Sequence, residues 1–248
     1  MRVAALYDIH GNLPALEAVL ARVEASGADT VVVGGDVLPG PMPGECLARL
    51  LDLRPPALFL RGNGESAVLA ELEGRDPGPL PAEALEAIRW TASRLGREEA
   101  RALAAWPATL RLEVPGPGRV LFCHATPGSD TTIFTRRTPD ERLLRLLGDP
   151  DADLVVCGHT HMPFDRDVGP VRVVNAGSVG MPFGRPGADW LLVGPGVEPR
   201  HTDYDLDAAA RRVRATDGPG AEAFAGRFVL DPPTEEAMLE AYAAADRD

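Results

Sequence analysis

The segment Val3-Ala4-Ala5-Leu6-Tyr7-Asp8-Ile9-His10-Gly11-Asn12 is a short apolar run that leads into an aspartate and a histidine. A run of this length, closed by polar residues and a glycine, predicts a buried β-strand. Apolar residues then recur at helical spacing over 12–26, and Gly27 ends that predicted helix. The pattern continues with a strand at 30–33, a helix at 45–51 and a strand at 57–60. This alternation predicts a parallel sheet with right-handed crossovers.

The remainder of the chain is richer in predicted strands. Residues 81–105 predict a long helical region in which Gly96 is a candidate break. Further strands are predicted at 109–114, 120–123, 154–157, 171–174, 190–193 and 197–201, and further helices at 139–147, 206–215 and 234–245. We therefore predict an α/β fold (α+β in some schemes) in which helices cover mixed sheets. A single domain is expected over 1–248, with the C-terminal helices at about 206–245 packed on it or appended to it.

Composition excludes several classes of function. The formal net charge is −12 and every basic residue other than histidine is an arginine, so a basic footprint for duplex nucleic acid is lacking. No apolar run is long enough to cross a bilayer, and Asp8 comes too early for a secretory signal, so no membrane partner is expected. Cys46, Cys123 and Cys157 are widely spaced, which is typical of reduced thiols in a cytoplasmic protein. The oligomeric state stays open, a homo-oligomer included.

Four of the five histidines follow predicted strands directly. Five apolar runs end in residues that can bind metals, namely Asp8 and His10, Asp36, Asn63, His124, and His159 with His161. Because ligands bind at the carboxyl ends of strands in open α/β sheets, we expect these side chains to meet at one edge. Asp8 with His10, and His159 with His161, are i, i+2 pairs that would point to the same side of an extended strand end.

The chemistry of this set favours transition metals. Asp36 follows a glycine turn and could bridge two cations with its two oxygens. Carboxylate oxygens together with imidazole nitrogens suit Mn, Fe, Zn or Ni better than Ca or Mg. Two such ions, roughly 3.5–4 Å apart, form a clamp for in-line displacement at phosphorus. We therefore predict two divalent transition metal ions, with Mn favoured.

The combined motifs resemble the calcineurin-like metallophosphoesterase superfamily, and most closely its small prokaryotic phosphodiesterase branch, over about residues 1–205. They are Asp8-x-His10-Gly-Asn, Gly35-Asp36, Gly62-Asn63, His124, Gly158-His159-Thr-His161 and Asn175-Ala-Gly-Ser178-Val-Gly180. The resemblance implies a four-layer αββα sandwich with a dinuclear site at strand C-terminal ends. It assigns Asp8, His10, Asp36 and His161 to one metal, and Asp36, Asn63, His124 and His159 to the other. The loop with Asn175 and Ser178 would lie beside the site.

The implied activity is hydrolysis of a phosphoric ester, most directly a phosphodiester, by a metal-bridging hydroxide. Asp8, Asp36, Asn63 and His124 would act in catalysis through the metals. The expected substrate is a small phosphorylated molecule, with nucleotide derivatives among the candidates. Three alternatives stay open: hydrolysis of dinucleoside polyphosphates, a phosphomonoesterase or protein phosphatase activity, and a non-catalytic scaffold with this fold.

One position departs from the family pattern. Many relatives carry a histidine after the Gly-Asn pair as a proton donor to the leaving group, whereas this chain has Gly64 there, followed by Glu65. The Gly-Asn-Gly triplet predicts a tight turn, Glu65 is a candidate acid, and Gly64→His would probe the missing imidazole.

Several other side chains receive predictions from the sequence. Arg136, Arg137, Arg185 and the segment 126–137 are candidate substrate contacts. We expect His201 at the surface, and Cys123 and Cys157 in the core.

Overall fold

Two five-stranded sheets form the centre of the protein, for which a computed structural model describes residues 1–246. The strands are β1 (Val3–Leu6), β2 (Thr30–Val33), β3 (Leu58–Phe59), β4 (Thr109–Val114), β5 (Gly118–Cys123), β6 (Leu154–Cys157), β7 (Phe164–Val168), β8 (Val171–Asn175), β9 (Ala188–Val193) and β10 (Val197–Thr202). The first sheet has the order β10-β9-β1-β2-β3 and the second β4-β5-β6-β8-β7. In the first sheet, β1, β2 and β3 are parallel and β9 and β10 are added antiparallel on one side. In the second, parallel β5, β6 and β8 lie between antiparallel β4 and β7, so both sheets are mixed as predicted.

Helices cover the outer faces of both sheets. They are α1 (Leu13–Ser26), α2 (Pro43–Leu51), α3 (Asn63–Leu72), α4 (Ala82–Arg94), α5 (Arg97–Ala105), α6 (Asp140–Leu147), α7 (Leu206–Arg214), α8 (Ala221–Phe224), which continues as a π-helical segment (Ala225–Leu230), and α9 (Glu235–Tyr242). Apolar side chains of α1–α5 and α7 form one core with the first sheet, and those of α6 form another with the second. The predicted four-layer αββα sandwich is therefore confirmed.

A third apolar cluster joins the two sheets face to face. Along β1, Val3 and Ala5 lie in this cluster, while Ala4 and Leu6 lie in the core beneath the helices. This alternation follows from the two-residue period of a strand, and every residue of β1 is buried because both faces are covered. The result is a rigid central strand whose carboxyl end is fixed at the edge where the polar motifs lie.

Three segments differ from the prediction. The triplet Gly62-Asn63-Gly64 is not an isolated turn, because Gly62 caps α3 and Asn63 is its first residue. Strand β7 was not predicted, since its alternating sequence FDRDV has few apolar residues and it pairs only with β8 at a sheet edge. The helical segment 221–230 was also not predicted. The expected break near Gly96 is confirmed, as it separates α4 from α5.

The C-terminal helices pack on the body of the protein. Ala209, Ala210 and Val213 of α7 belong to the same core as α1. Leu239 of α9 packs against Met162 and Phe183. A single domain over 1–248 stays a prediction, and residues 247–248 lie outside the described part of the chain. Within residues 1–246, no helix combines the length and apolar character needed to cross a membrane.

Tyr7 holds the two sheets together directly below the polar edge. Tyr7 directly follows β1, and its hydroxyl donates to the carbonyl oxygen of Val156 in β6 at 3.0 Å. Two glycines make room for the ring, since a Cβ at Gly34 or Gly158 would overlap with it. Gly34 does not have a positive φ, so its constraint is steric. Packing against the Tyr7 ring therefore explains why Gly34 and Gly158 are glycines.

We expect Gly34→Ala to lower the free energy of unfolding by about 1–3 kcal/mol or more, because the added methyl group overpacks a filled interface. Urea denaturation followed by circular dichroism measures the change. Gly44→Ala is the matched control, because Gly44 lies in α2 and a Cβ there meets nothing within 4 Å. That control should be neutral or stabilising by up to about 1 kcal/mol. Equal stability of the two variants would contradict the packing role of Tyr7.

Candidate metal centre

Five of the predicted ligands converge at the edge where both sheets end. The Oδ1 atom of Asp8 lies 3.4 Å from Nε2 of His161, 3.8 Å from Nε2 of His124 and 3.9 Å from Nε2 of His10. The Oδ2 atom of Asp36 lies 3.5 Å from Nε2 of His124 and 3.7 Å from Nε2 of His10. These atoms form two groups that share Asp8: one with His10 and His161, the other with Asp36 and His124.

Asn63 and His159 complete the predicted set on one side of this cluster. The amide oxygen of Asn63 lies 3.0 Å from Nε2 of His124. The ring of His159 lies 5.2 Å from the ring of His124, centroid to centroid. His159 stands outside the two tightest groups, and its Nε2 lies 3.2 Å from the carbonyl oxygen of Thr131. The structure thus brings all seven predicted residues together, while their roles as metal ligands stay a prediction.

Backbone carbonyls fix the orientation of three imidazole rings. Nδ1 of His124 lies 2.9 Å from the carbonyl oxygen of Gly34, and Nδ1 of His161 lies 2.8 Å from that of Met181. Because a carbonyl oxygen only accepts, the facing nitrogen carries a proton, as does Nε2 of His159 beside Thr131. The other nitrogen of each neutral ring is then a lone-pair donor for a metal. This arrangement is typical of histidines that bind metals.

The charge balance of the cluster fits cations. Asp8 Oδ1 is buried and lacks a hydrogen-bond partner among the described residues, whereas Oδ2 accepts from the backbone N–H of His159 at 2.8 Å. Burial lowers the pKa of His124, but the charges of Asp36 and Asp8 outweigh burial and raise it to about 10. The two buried carboxylates thus draw positive charge to the cluster, and in the metal-free chain a proton on His124 supplies part of it. The residues present therefore fit divalent metal ions.

The backbone at the cluster is strained. Six non-glycine residues in the described chain have positive φ, and five of them are predicted ligands: Asp8, His10, Asp36, His159 and His161, with φ from 47° to 68°. The expectation that the i, i+2 pairs share a face of an extended strand is therefore wrong. Left-handed turns beyond the strand ends aim these side chains instead. Such conformations cost about 1–3 kcal/mol each and persist where surrounding contacts enforce them.

Glu65 supplies one set of those contacts. Its Oε2 accepts from the backbone N–H groups of Asp36 (2.8 Å) and Gly62 (2.9 Å), and its Oε1 accepts from that of Leu38 (3.0 Å). The side chain is fully buried, and burial together with the charge of Asp36 raises its pKa to about 7. Both oxygens are occupied by the backbone, so Glu65 shapes the loops after β2 and β3. The alternative that it protonates a leaving group is not supported.

Gly64 is explained by close packing of the backbone. Its N–H donates to Oδ1 of Asp36 at 2.7 Å, and a Cβ at this position would overlap with the carbonyl oxygen of Leu38. A side chain at position 64 would therefore displace the loop that carries Asp36. Gly64→His would thus disturb this loop in addition to adding an imidazole.

The loop after β8 supports the cluster, as the resemblance implied. The Ser178 hydroxyl donates to the carbonyl oxygen of Asp8 at 2.7 Å and accepts from the N–H of Met181 at 2.8 Å. Met181 in turn orients His161, as described above. The side-chain amide of Asn175 donates to the carbonyl oxygen of Gly158 at 2.6 Å. The loop thus connects the motif after β1 with the His-Thr-His motif after β6.

Three predicted substrate-contacting arginines pair with acidic groups instead. Arg136 and Arg137 pair with Glu235 and Glu236, which flank the start of α9, at 2.6 Å each. Arg185 lies 3.5 Å from Asp189.

His201 and the two cysteines lie away from the convergence point. His201 is not at the surface, because its Nδ1 lies 2.7 Å from Asp189 and its side chain is only 15% exposed. Cys123 and Cys157 are buried as predicted.

The sequence also missed a wall of the site formed by α9. Phe183 stacks on His161 with ring centroids 5.1 Å apart, and Leu239 and Tyr242 pack on the far side of Phe183 and Met162. Burial raises the pKa of Tyr242 to about 12, and the charge of Asp8 adds to this shift, so the two residues are electrostatically coupled. The amphipathic pattern of 234–245 predicted the helix, but nothing in it identifies where the helix docks.

Comparisons with known proteins agree with this geometry. The chain is 28% identical over 206 residues to an uncharacterized protein of Methanocaldococcus jannaschii, covering 73% of this chain and 76% of the relative. The crystal structure of a metallophosphoesterase from Sphaerobacter thermophilus has a TM-score of 0.70 and 26% identity, covering 92% of this chain and 98% of that one. A hypothetical protein from Pyrococcus horikoshii OT3 shares the fold, with a TM-score of 0.78, 19% identity and coverage of 94% and 99%.

The family assignment rests on the greater part of the sequence. Residues 1–193 match the family described as the calcineurin-like phosphoesterase superfamily domain, and these residues contain every member of the cluster. The chain therefore belongs to the calcineurin-like phosphoesterase superfamily.

Proposed function

We propose that this protein is a metal-dependent phosphoesterase whose preferred substrates are phosphodiesters. The observation that carries the proposal is the buried, unpartnered Oδ1 of Asp8, which is surrounded by three imidazole nitrogens within 3.9 Å. Family membership supports the reaction class, as does the Sphaerobacter thermophilus structure described as a metallophosphoesterase. A non-catalytic scaffold would not need to maintain five strained residues and three oriented imidazoles.

We propose the ligand sets that the family resemblance implied. Asp8, His10, Asp36 and His161 would hold one cation, and Asp36, Asn63, His124 and His159 the other. Oxygen and nitrogen donors in this mixture suit Mn, Fe, Zn or Ni, and we take Mn as the first metal to test. Bound there, divalent cations would bind phosphoryl oxygens and lower the pKa of a water molecule towards neutrality.

The protein's own contribution is a rigid geometry set before substrate arrives. The rings of His124, His159 and His161 are held by backbone carbonyls, so none has to reorient during a reaction. The carboxylate of Asp36 is fixed by the N–H of Gly64, and its main chain by Glu65. Groups that are already oriented stabilise developing charge without a reorganisation cost, which is a major source of catalytic power.

The proposed preference for diesters rests on the lack of a free imidazole in the cluster within residues 1–246. All four imidazoles of the cluster belong to the proposed ligand sets, and Leu38 fills the space that a side chain at position 64 would occupy. Proton donation to the leaving group contributes roughly 10²–10⁴-fold in rate where it operates. Without it, esters with good leaving groups should react best.

The metal proposal is tested with purified protein incubated in Mn²⁺ and with bis(4-nitrophenyl) phosphate as substrate. We expect about two bound ions per chain by elemental analysis, and Mn²⁺-dependent release of nitrophenol. Asp8→Asn and Asp36→Asn should each lower kcat by roughly two orders of magnitude or more, because each removes charge shared by the cluster. Asp52→Asn is the matched control, since Asp52 is 81% exposed at the end of α2.

Two outcomes would contradict this proposal. Fewer than one ion per chain in excess Mn²⁺ would remove the metal centre and favour the scaffold alternative. Bound metal without turnover of any ester, in Mn²⁺ or in other divalent ions, would remove the enzymatic function while leaving the site intact.

A second prediction concerns the leaving group. Across aryl diesters whose phenols differ by about three pKa units, we expect kcat/KM to fall roughly 100-fold or more, because no side chain donates a proton to the departing oxygen. Steady-state kinetics at constant pH measure the slope. A shallow dependence, together with loss of activity above a defined pH, would reveal a proton donor and refute this part of the proposal.

A further inference from the structure

A small cavity adjoins the cluster on the side of His124. Its volume is about 210 Å³, and it is lined by Arg61, Ala108, His124, Thr126 and the following residues to Asp130. A cavity of this size accommodates a group such as a phosphoryl moiety with its oxygens. It lies between the end of β3 and the loop that follows β5, so two loops of the metal centre form its walls.

One of the residues proposed to hold the second cation lines this cavity, and the other two are connected to its walls. Arg61 stands two residues before Asn63, and His124 is itself part of the lining. The loop that forms the opposite wall continues to Thr131, whose carbonyl orients His159. A group bound in the cavity would therefore lie beside the reacting phosphorus and outside the cluster of ligands.

Arg61 is the one arginine among the residues that line this cavity. Within residues 1–246, no carboxylate lies within 4.0 Å of its guanidinium, although the chain has a net charge of −12. Arg136, Arg137 and Arg185, the other arginines considered for substrate binding, all have acidic partners. The carboxylate of Asp130, also in the lining, is engaged by the hydroxyl of Ser66 at 2.7 Å.

We propose that Arg61 binds a second phosphoryl group of the substrate, separate from the one that reacts. A guanidinium presents two parallel N–H donors that match the oxygens of a phosphate, and a partly buried arginine without an acidic partner is free to use them. This inference rests on the proposed phosphoesterase function and adds to it a preference for substrates with at least two linked phosphoryl groups. Diesters of a single phosphate would then react without help from Arg61.

The kinetic test compares two substrates with wild-type protein and Arg61→Gln. For diadenosine tetraphosphate, we expect the substitution to raise KM roughly 10–100-fold with kcat changed less than about threefold, because a charge-assisted hydrogen bond to a non-reacting group is lost. For bis(4-nitrophenyl) phosphate, both constants should stay within about twofold. Arg61→Lys should recover part of the lost affinity, and Arg97→Gln, an exposed arginine at the start of α5, is the matched control.

A binding measurement separates this inference from the proposed function. By calorimetry, Arg61→Gln should weaken the binding of inorganic pyrophosphate roughly 10-fold or more, and the binding of inorganic phosphate much less. If wild-type protein hydrolyses neither substrate but shows this difference, the phosphoesterase proposal fails and the Arg61 site stands. The Arg61 site is refuted if wild-type protein is active and Arg61→Gln changes neither the KM for diadenosine tetraphosphate nor the affinity for inorganic pyrophosphate. Equal impairment of both substrates would also refute it.

Discussion

The buried carboxylate of Asp8 is the constraint on which the polar edge of this protein depends. Its main-chain N–H donates to the carbonyl oxygen of Gly35, and its own carbonyl accepts from the hydroxyl of Ser178 and the N–H of Gly180. Its Oδ2 accepts from the N–H of His159. Asp8 therefore connects the loops that follow β1, β2, β6 and β8, while its Oδ1 has no partner among the described residues. A buried negative oxygen in this position is unfavourable unless a positive charge lies beside it, so the fold is arranged around a site for positive charge, which bound cations would fill.

The loops that carry the cluster adopt unfavourable backbone conformations, and hydrogen bonds to Glu65 help to stabilise them. Glu65 is a second buried carboxylate, and its pKa is raised to about 7 by burial and by the nearby charge of Asp36. It tolerates this environment because three backbone N–H groups, from Asp36, Leu38 and Gly62, donate to it. The same bonds fix the left-handed turn at Asp36. Positive charge within the cluster would weaken the repulsion between the two carboxylates, so binding of cations and stability of these loops are physically coupled.

Much of this could be predicted because strands and ligands recur together in the sequence. The position of each predicted ligand directly after an apolar run placed these residues at one edge, and the structure brings them together there. The predicted geometry was wrong in one respect. Left-handed turns orient His10 and His161, and the pattern of residue types does not reveal such φ values. The start of helix α3 resembles a turn in sequence because glycine and asparagine are common both in turns and at helix N-termini, and tertiary packing makes Asn63 the first residue of the helix. The packing of Gly64 against Leu38 depends on a loop 26 residues earlier, which local sequence does not encode.

At this edge, the cluster accounts for the class of reaction, whereas the choice of substrate depends on the residues around it. The imidazoles of His10, His124 and His161 face the shared carboxylate atoms, and His159 lies beside His124, so the cluster alone offers no group that distinguishes one phosphoester from another. Discrimination must come from the walls around it, and the described structure has two. On one side Arg61 and the loop of 126–130 enclose a charged cavity. On the other, Leu239 and Tyr242 of α9 pack against Phe183, which stacks on His161. Helix α9 lies beyond the matched family region of 1–193, whereas Phe183 lies within it. Selectivity in this protein can therefore change through its walls while the buried carboxylate and its surrounding ligands stay fixed.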